Sequence, residues 1–245
     1  MKKIICFWLA SLLPITSLAA VDNTHIESNI ITYKYSFAKK DNYQVSYADY
    51  PAGKEDFYSL TSEQDAKLPV EIKTSMRGLK ISGNNHSDDL FMYTYKKLTG
   101  LQPNTEYHTR FSLELASNAR TDSVGVGGSP GSAVSVKIGV VTEQPERYID
   151  VDGYYRMQLD KGNQSSDGKD MLLLGNVGVE TENQTYLLKT LPDRPNDELL
   201  EKIARYTVTS NEKGEAWLIL GTDSGYESVS TIFYTNVVVE LIAIK

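Results

Sequence analysis

Beyond residue 30 the chain alternates apolar and polar side chains with a period of two. Ile31, Tyr33, Tyr35 and Phe37 are separated by Thr32, Lys34 and Ser36, and Tyr107, Thr109, Phe111, Leu113 and Leu115 by His108, Arg110, Ser112 and Glu114. The same spacing recurs in Phe91, Tyr93 and Tyr95, in Val134, Val136, Ile138 and Val140, and in Phe233, Thr235, Val237, Val239 and Leu241. Successive side chains of a strand point to opposite faces, so each series predicts a half-buried strand with those residues on one face. Shorter strands are expected around residues 79–81, 155–159, 171–174, 206–208 and 217–220, with turn-forming clusters at 82–85, 125–131, 161–168 and 211–214. One helix is predicted over 197–205, where Asn196 can cap it and Leu199, Leu200 and Ile203 share a stripe. Many short strands, frequent turns and one short helix predict an all-β fold, an antiparallel two-sheet sandwich.

The first 19 residues depart from this pattern. Lys2 and Lys3 precede the apolar run from Ile4 to Leu13, and Ser17-Leu18-Ala19 supplies the small side chains of a cleavage site, so residues 1–19 read as a signal peptide of bacterial type. The run is too short to span ~30 Å of hydrocarbon, and Pro14 interrupts it. Export to the periplasm or the extracellular space is expected, with no transmembrane segment left after cleavage. The remainder, residues 20–245, is expected to form one sandwich domain. The competing arrangement is a fibronectin-like domain ending near Val141 with a second small sandwich after it; Gln144-Pro145-Glu146 is too short to look like a linker.

Composition narrows the function classes. The chain has 245 residues, 40% of them hydrophobic and 23% charged, which is the composition of a globular protein. Its formal charge of −7 becomes more negative when Lys2 and Lys3 leave, and no Lys/Arg cluster is present, which argues against a nucleic-acid partner. The only cysteine, Cys6, lies in the leader, so disulfides and thiol chemistry are not expected. Tyrosine is in excess, with sixteen residues.

The segment Leu98-Thr99-Gly100-Leu101-Gln102-Pro103-Asn104-Thr105-Glu106-Tyr107 leads directly into a predicted strand. A tyrosine so placed can bury its ring between sheets while its hydroxyl bonds a few residues upstream. The stretch resembles the tyrosine corner of fibronectin type III domains and the corresponding turn of jelly-roll carbohydrate-binding modules. Gly78-Leu79-Lys80-Ile81 before the corner and the closing run from Thr231 to Leu241 favour the jelly roll. The closing run is similar to the last strand of such modules, which commonly carry acidic residues where this chain has Thr235 and Asn236. The resemblance implies a jelly-roll-like sandwich and a carbohydrate ligand, without the calcium site of that strand.

Candidate chemistry sits in polar loops. Gly83-Asn84-Asn85-His86-Ser87-Asp88-Asp89 and Gly221-Thr222-Asp223-Ser224-Gly225-Tyr226-Glu227 gather amides, an imidazole, carboxylates and a phenol, the groups that bind hydroxyl-rich ligands directionally. Asn84, Asn85, His86, Asp88, Asp89, Asp223, Tyr226 and Glu227 are therefore the candidate ligand-binding residues, set against the plainer reading of turns that cap their own backbone. Tyrosines 47, 50, 93, 154, 155 and 226 could supply stacking platforms. Asp160 to Asp170 lacks the spacing of a calcium loop and reads as a flexible turn. No cofactor and no metal are called for, although acids 88, 89, 223 and 227 would attract a cation if the fold gathered them. The string Gly127-Gly128-Ser129-Pro130-Gly131 matches a nucleophile elbow, but it precedes a strand instead of a helix and reads as a turn. His25, His86 and His108 show no metal spacing, and His108 is expected on a solvated face.

These features predict an exported, non-catalytic binding protein for carbohydrate or a glycan-bearing surface, with no catalytic residue assigned. Two alternatives remain open at this point: a structural or adhesive envelope component with a protein partner, and a polysaccharide hydrolase or lyase pairing Asp88 or Asp89 with Asp223 or Glu227.

Overall fold

The structure is a computed structural model that describes residues 30–38, 43–72 and 75–244. The leader, Cys6 and His25 lie outside the described residues. The strands are β1 (Ile30–Ser36), β2 (Gln44–Ala48), β3 (Tyr50–Pro51), β4 (Thr61–Lys67), β5 (Arg77–Asn84), β6 (Leu90–Thr99), β7 (Glu106–Ser117) and β8 (Val134–Val141), followed by β9 (Arg147–Ile149), β10 (Tyr154–Met157), β11 (Leu172–Asn176) and β12 (Leu187–Leu191). The helix α1 (Asp197–Arg205) precedes β13 (Thr207–Thr209), β14 (Glu215–Ser224) and β15 (Val229–Ala243). One sheet runs β12-β7-β15-β5-β4, with β1 also on β15 and β13 also on β7; the second runs β11-β8-β14-β6-β2; a small third sheet is β3-β10-β9. The named strands pair antiparallel, so the fold is the expected β-sandwich.

The inner faces interdigitate as period-two burial requires. Leu113, Leu115, Ile232, Tyr234, Val237 and Val239 of the first sheet meet Leu90, Met92, Val136, Ile138, Leu218 and Leu220 of the second in one core. The corner forms as predicted: Tyr107 is buried and its hydroxyl accepts the Gln102 backbone N–H at 2.8 Å. The helix begins where expected, with the Asn196 side chain accepting the Leu199 N–H. It covers the stretch of β7 left between β12, which pairs residues 113–117, and β13, which pairs residues 106–108.

Three local expectations are corrected, and the turn at Ser129 forms as expected. The series Phe233, Thr235, Val237, Val239 and Leu241 does not share one face, because the register of β15 on β7 shifts between Tyr234 and Asn236. This bulge turns Phe233 to the outer cluster with Ala66, Leu68 and Ala116, while Thr235 bonds Glu114. Ser82 to Asn84 and Gly221 to Ser224 continue strands β5 and β14, since both find ladder partners there. His108 is half-buried with its Nδ1 shielded, in a groove shared with Leu200 and Ile203, because α1 returns over that face. Ser129 stays in a turn, its hydroxyl bonded to Arg120 and Thr121 carbonyls.

Candidate functional site

The outer face of the five-stranded sheet carries the most developed chemistry. Odd-numbered residues of β6 and β14 point outward from the core, with Phe91 opposite Asp223, Tyr93 opposite Gly221 and Lys97 opposite Trp217. Phe91, Tyr93 and Tyr95 form a stacked row, with ring centroids 5.1 and 6.1 Å apart. Gly221 makes this possible, since a Cβ there would come within 2.8 Å of Tyr93 Cβ. Met157 and Met171 cover the Phe91 end, and the third sheet is pinned beside it by Arg147, which donates to the Tyr47 carbonyl and the Tyr50 hydroxyl.

Under this cover lies a buried ion network. Asp223, fully buried, receives three donors on one oxygen: Lys161 Nζ at 2.7 Å, the Gln164 N–H at 2.9 Å and Lys137 Nζ at 3.1 Å. Lys137, equally buried, also donates to the carbonyls of Lys161 (2.7 Å) and Ser166 (2.9 Å). Lys161 reaches Asp49 at 3.0 Å, and Arg156 reaches Asp49, Asp89 and Asp150 at 3.0, 3.5 and 3.0 Å. Asp49, Asp89 and Asp223 each place an oxygen within 4.8 Å of the others. Burial, with the Asp49 charge beside it, raises the Asp89 pKa to about 7. Burial lowers that of Lys137. Burial opposes the charge of Lys161 as well, but the carboxylates of Asp223 and Asp49 outweigh it and leave its pKa raised. Lys161 thus bridges Asp49 and Asp223, and Arg156 bridges Asp49 and Asp89.

The two predicted loops do meet at one end of the sandwich. Asn85 donates to the Ser224 carbonyl at 2.7 Å and the Tyr226 carbonyl at 3.2 Å, so its amide serves as a tie between them. Asp89 and Asp223 enter the ion network. Asp88 has a positive φ of 57°, and its carbonyl accepts Gln164 Nε2. Asn84 closes β5 opposite Val229, and exposed His86 stacks on Phe57 at 4.2 Å. Tyr226 is half-buried, and the Glu227 N–H donates to Val126. The segment 160–170, expected to be flexible, is pinned: Asp160 accepts the N–H groups of Gly162 and Lys169, and Lys137 holds two of its carbonyls. Of the tyrosines offered as platforms, Tyr50 is buried in the main core and Tyr93 is buried with Met157 and Met171.

Past the covered half, the same face opens. Tyr95 and Trp217, both half-buried, lie 6.0 Å apart at 59° in a groove of about 340 Å³, flanked by Gln44, Lys97 and Gln144. Lys97 sits 5.1 Å over the Trp217 ring and pairs with Glu215 at 3.2 Å. Sequence reasoning passed over this pair. The available signal was two aromatic residues, Tyr95 and Trp217, on strands whose opposite faces carry Leu90, Met92, Leu98, Leu218 and Leu220.

No protein-family profile matches the chain, and no curated protein matches it. Among solved structures it is similar to a family-61 carbohydrate-binding module in complex with β-1,4-galactotriose, at 8% identity over 83% of this chain and 92% of that one, with a TM-score of 0.35. It is also similar to a cleaved adhesin domain of Lys-gingipain from Porphyromonas gingivalis, at 10% identity over 88% and 99% of the two chains, with a TM-score of 0.33. A family-28 carbohydrate-binding module specific for non-crystalline cellulose matches at 10% identity over 78% and 84%, with a TM-score of 0.29.

Proposed function

We propose that the protein is an exported, non-catalytic carbohydrate-binding protein whose ligand, a polysaccharide or the glycan of a cell surface, lies across Tyr95 and Trp217. The observation that carries this reading is the half-open aromatic pair in a groove rimmed by two amides. Sugar rings present an apolar face and a rim of hydroxyls, which aromatic faces and Gln44 and Gln144 complement. The groove crosses β14, β6 and β2, neighbours spaced ~4.8 Å apart, which gives room for a short run of sugars. Export rests on the leader, and no described helix is long and apolar enough to cross a membrane. Pairing of all seven residues of β1 with β15 joins the first described strand to the last and supports a single domain.

Retention on insoluble polysaccharides and on cell-wall fractions tests the proposal. The protein is expected to bind at least one, and Trp217→Ala to weaken retention tenfold or more. Absence of binding to all of them, or binding untouched by both Trp217→Ala and Tyr95→Ala, would overturn it.

One observation favours a hydrolytic second reading: Asp89, with its raised pKa, stands beside Asp223. Glycosidases hold their carboxyls ~5–9.5 Å apart around the scissile bond, whereas here Lys161 and Arg156 occupy the acids. Unchanged polysaccharide after long incubation would dispose of it. The adhesive reading has the edge strand β12, with exposed Leu187 and Leu188, as its contact, and crosslinking to a protein in envelope fractions would reveal it.

A further inference from the structure

A second cavity, of about 250 Å³, opens at the end of the first sheet, where β7 ends and β15 begins. Its lining includes Ser117 and Ser230, buried hydroxyls at the positions that continue the inward faces beyond Leu115 and Ile232. Tyr226 forms one wall, and Tyr186, packed edge-on against Phe233 at 5.5 Å and 88°, forms another.

The seat of Tyr226 is built by other residues. A Cβ on Gly125 would stand 2.4 Å from the tyrosine ring, so only glycine leaves the ring its place. Asn85, 2% exposed, spends its amide on the carbonyls of Ser224 and Tyr226, and Val126 accepts the next N–H. Three loops therefore hold one aromatic ring at the rim of a polar cavity. Arg120 at the same rim is paired with both oxygens of Asp122 at 3.0 Å, so its charge is compensated and its use is as a hydrogen-bond donor.

We infer that this cavity is a second binding site, for a single neutral sugar ring such as the terminal residue of a glycan. Its volume lies below the roughly 300–1,000 Å³ of drug-sized pockets, which limits the occupant to about one ring. Two tyrosines offer apolar faces, and the serines, Arg120 and Gln184 offer hydrogen bonds to hydroxyls. It shares no lining residue with the Tyr95–Trp217 groove.

The test is an NMR titration of the protein with free glucose, galactose, mannose, xylose and N-acetylglucosamine in turn. At least one is expected to shift, saturably, signals of residues 117–120, 184–186 and 226–232. Ser230→Leu, which fills the cavity from within, and Tyr226→Ala should each weaken that binding tenfold or more, and Trp217→Ala should leave it unchanged. If Ser230→Leu fails to fold by its melting curve, Tyr226→Ala decides alone. Shifts confined to the groove, no saturable shift with any sugar, or binding untouched by Tyr226→Ala would overturn the inference. Polysaccharide retention through Trp217 could still stand in each of those cases, so the two sites fail separately.

Discussion

Phe91 and Tyr95 begin as equals: both point outward from the same strand, four residues apart, in one stacked row. At the Phe91 end the chain returns as the third sheet and the 157–171 segment, and burial there extends to Lys137, Lys161, Asp49 and Asp223. At the Tyr95 end no described strand covers the rings, and they face a groove. The comparison teaches that one outward-facing pattern can serve stability or recognition. What decides is whether another segment is anchored over it, and the anchor here is ionic.

The largest expected effect comes from breaking that anchor. Asp223→Ala strips two buried ammonium groups of their shared carboxylate, and such a loss costs about 3–5 kcal/mol. Urea denaturation measures it, and a cost under ~1 kcal/mol would mean the ions are not held in this way.

Acidity separates the two ends next. The Asp89 pKa is raised in the folded chain from 3.8 to about 7, so its contribution to stability is fully present below the lower value and is lost as pH rises through the higher one. Unfolding free energy should fall across this window by an amount on the order of 1–3 kcal/mol after solvent screening, read as a falling melting temperature. Asp89→Asn should flatten the profile and raise stability at pH 8 relative to the parent. A parent and variant with parallel profiles would contradict the assignment.

At the open end the effects pass from stability to binding. Trp217→Ala should cost tenfold or more in polysaccharide affinity, about 1.4 kcal/mol, while moving the urea midpoint less than Asp223→Ala does. The smallest change is Lys97→Met, which removes a cation from the Trp217 face and should alter affinity by only ~0.5–1 kcal/mol, read by affinity electrophoresis.

Strands with long alternation were legible in the sequence because periodicity reports directly on burial, and β1, β6, β7 and β8 stand where the pattern puts them. So were the corner at Tyr107 and the cap at Asn196, each a local bond between near neighbours. Strands β2, β4 and β12 were not, since Gln44, Glu63 and Lys189 dilute their alternation and their pairing comes from distant strands. The meeting of the 84–89 and 223–227 loops was posed correctly as a question about distance. Its answer included Asp49, Lys137, Lys161 and Arg156, which come from four other segments and carry no shared spacing. Tyr95 and Trp217 were visible as residues, but which outward face stays uncovered is a property of the chain's return path.

The bulge at Tyr234–Asn236 has a consequence for chain length. On its C-terminal side β15 sends odd-numbered residues inward, Val237, Val239 and Leu241, and on its N-terminal side even-numbered ones, Ile232 and Tyr234. The strand thus changes parity midway, which lets one continuous segment serve β5 with its first half and β1 with its second. An in-frame loss of Thr235 would erase the change and force one half to present its solvent side to the core. At this point the number of residues is constrained more tightly than their identity.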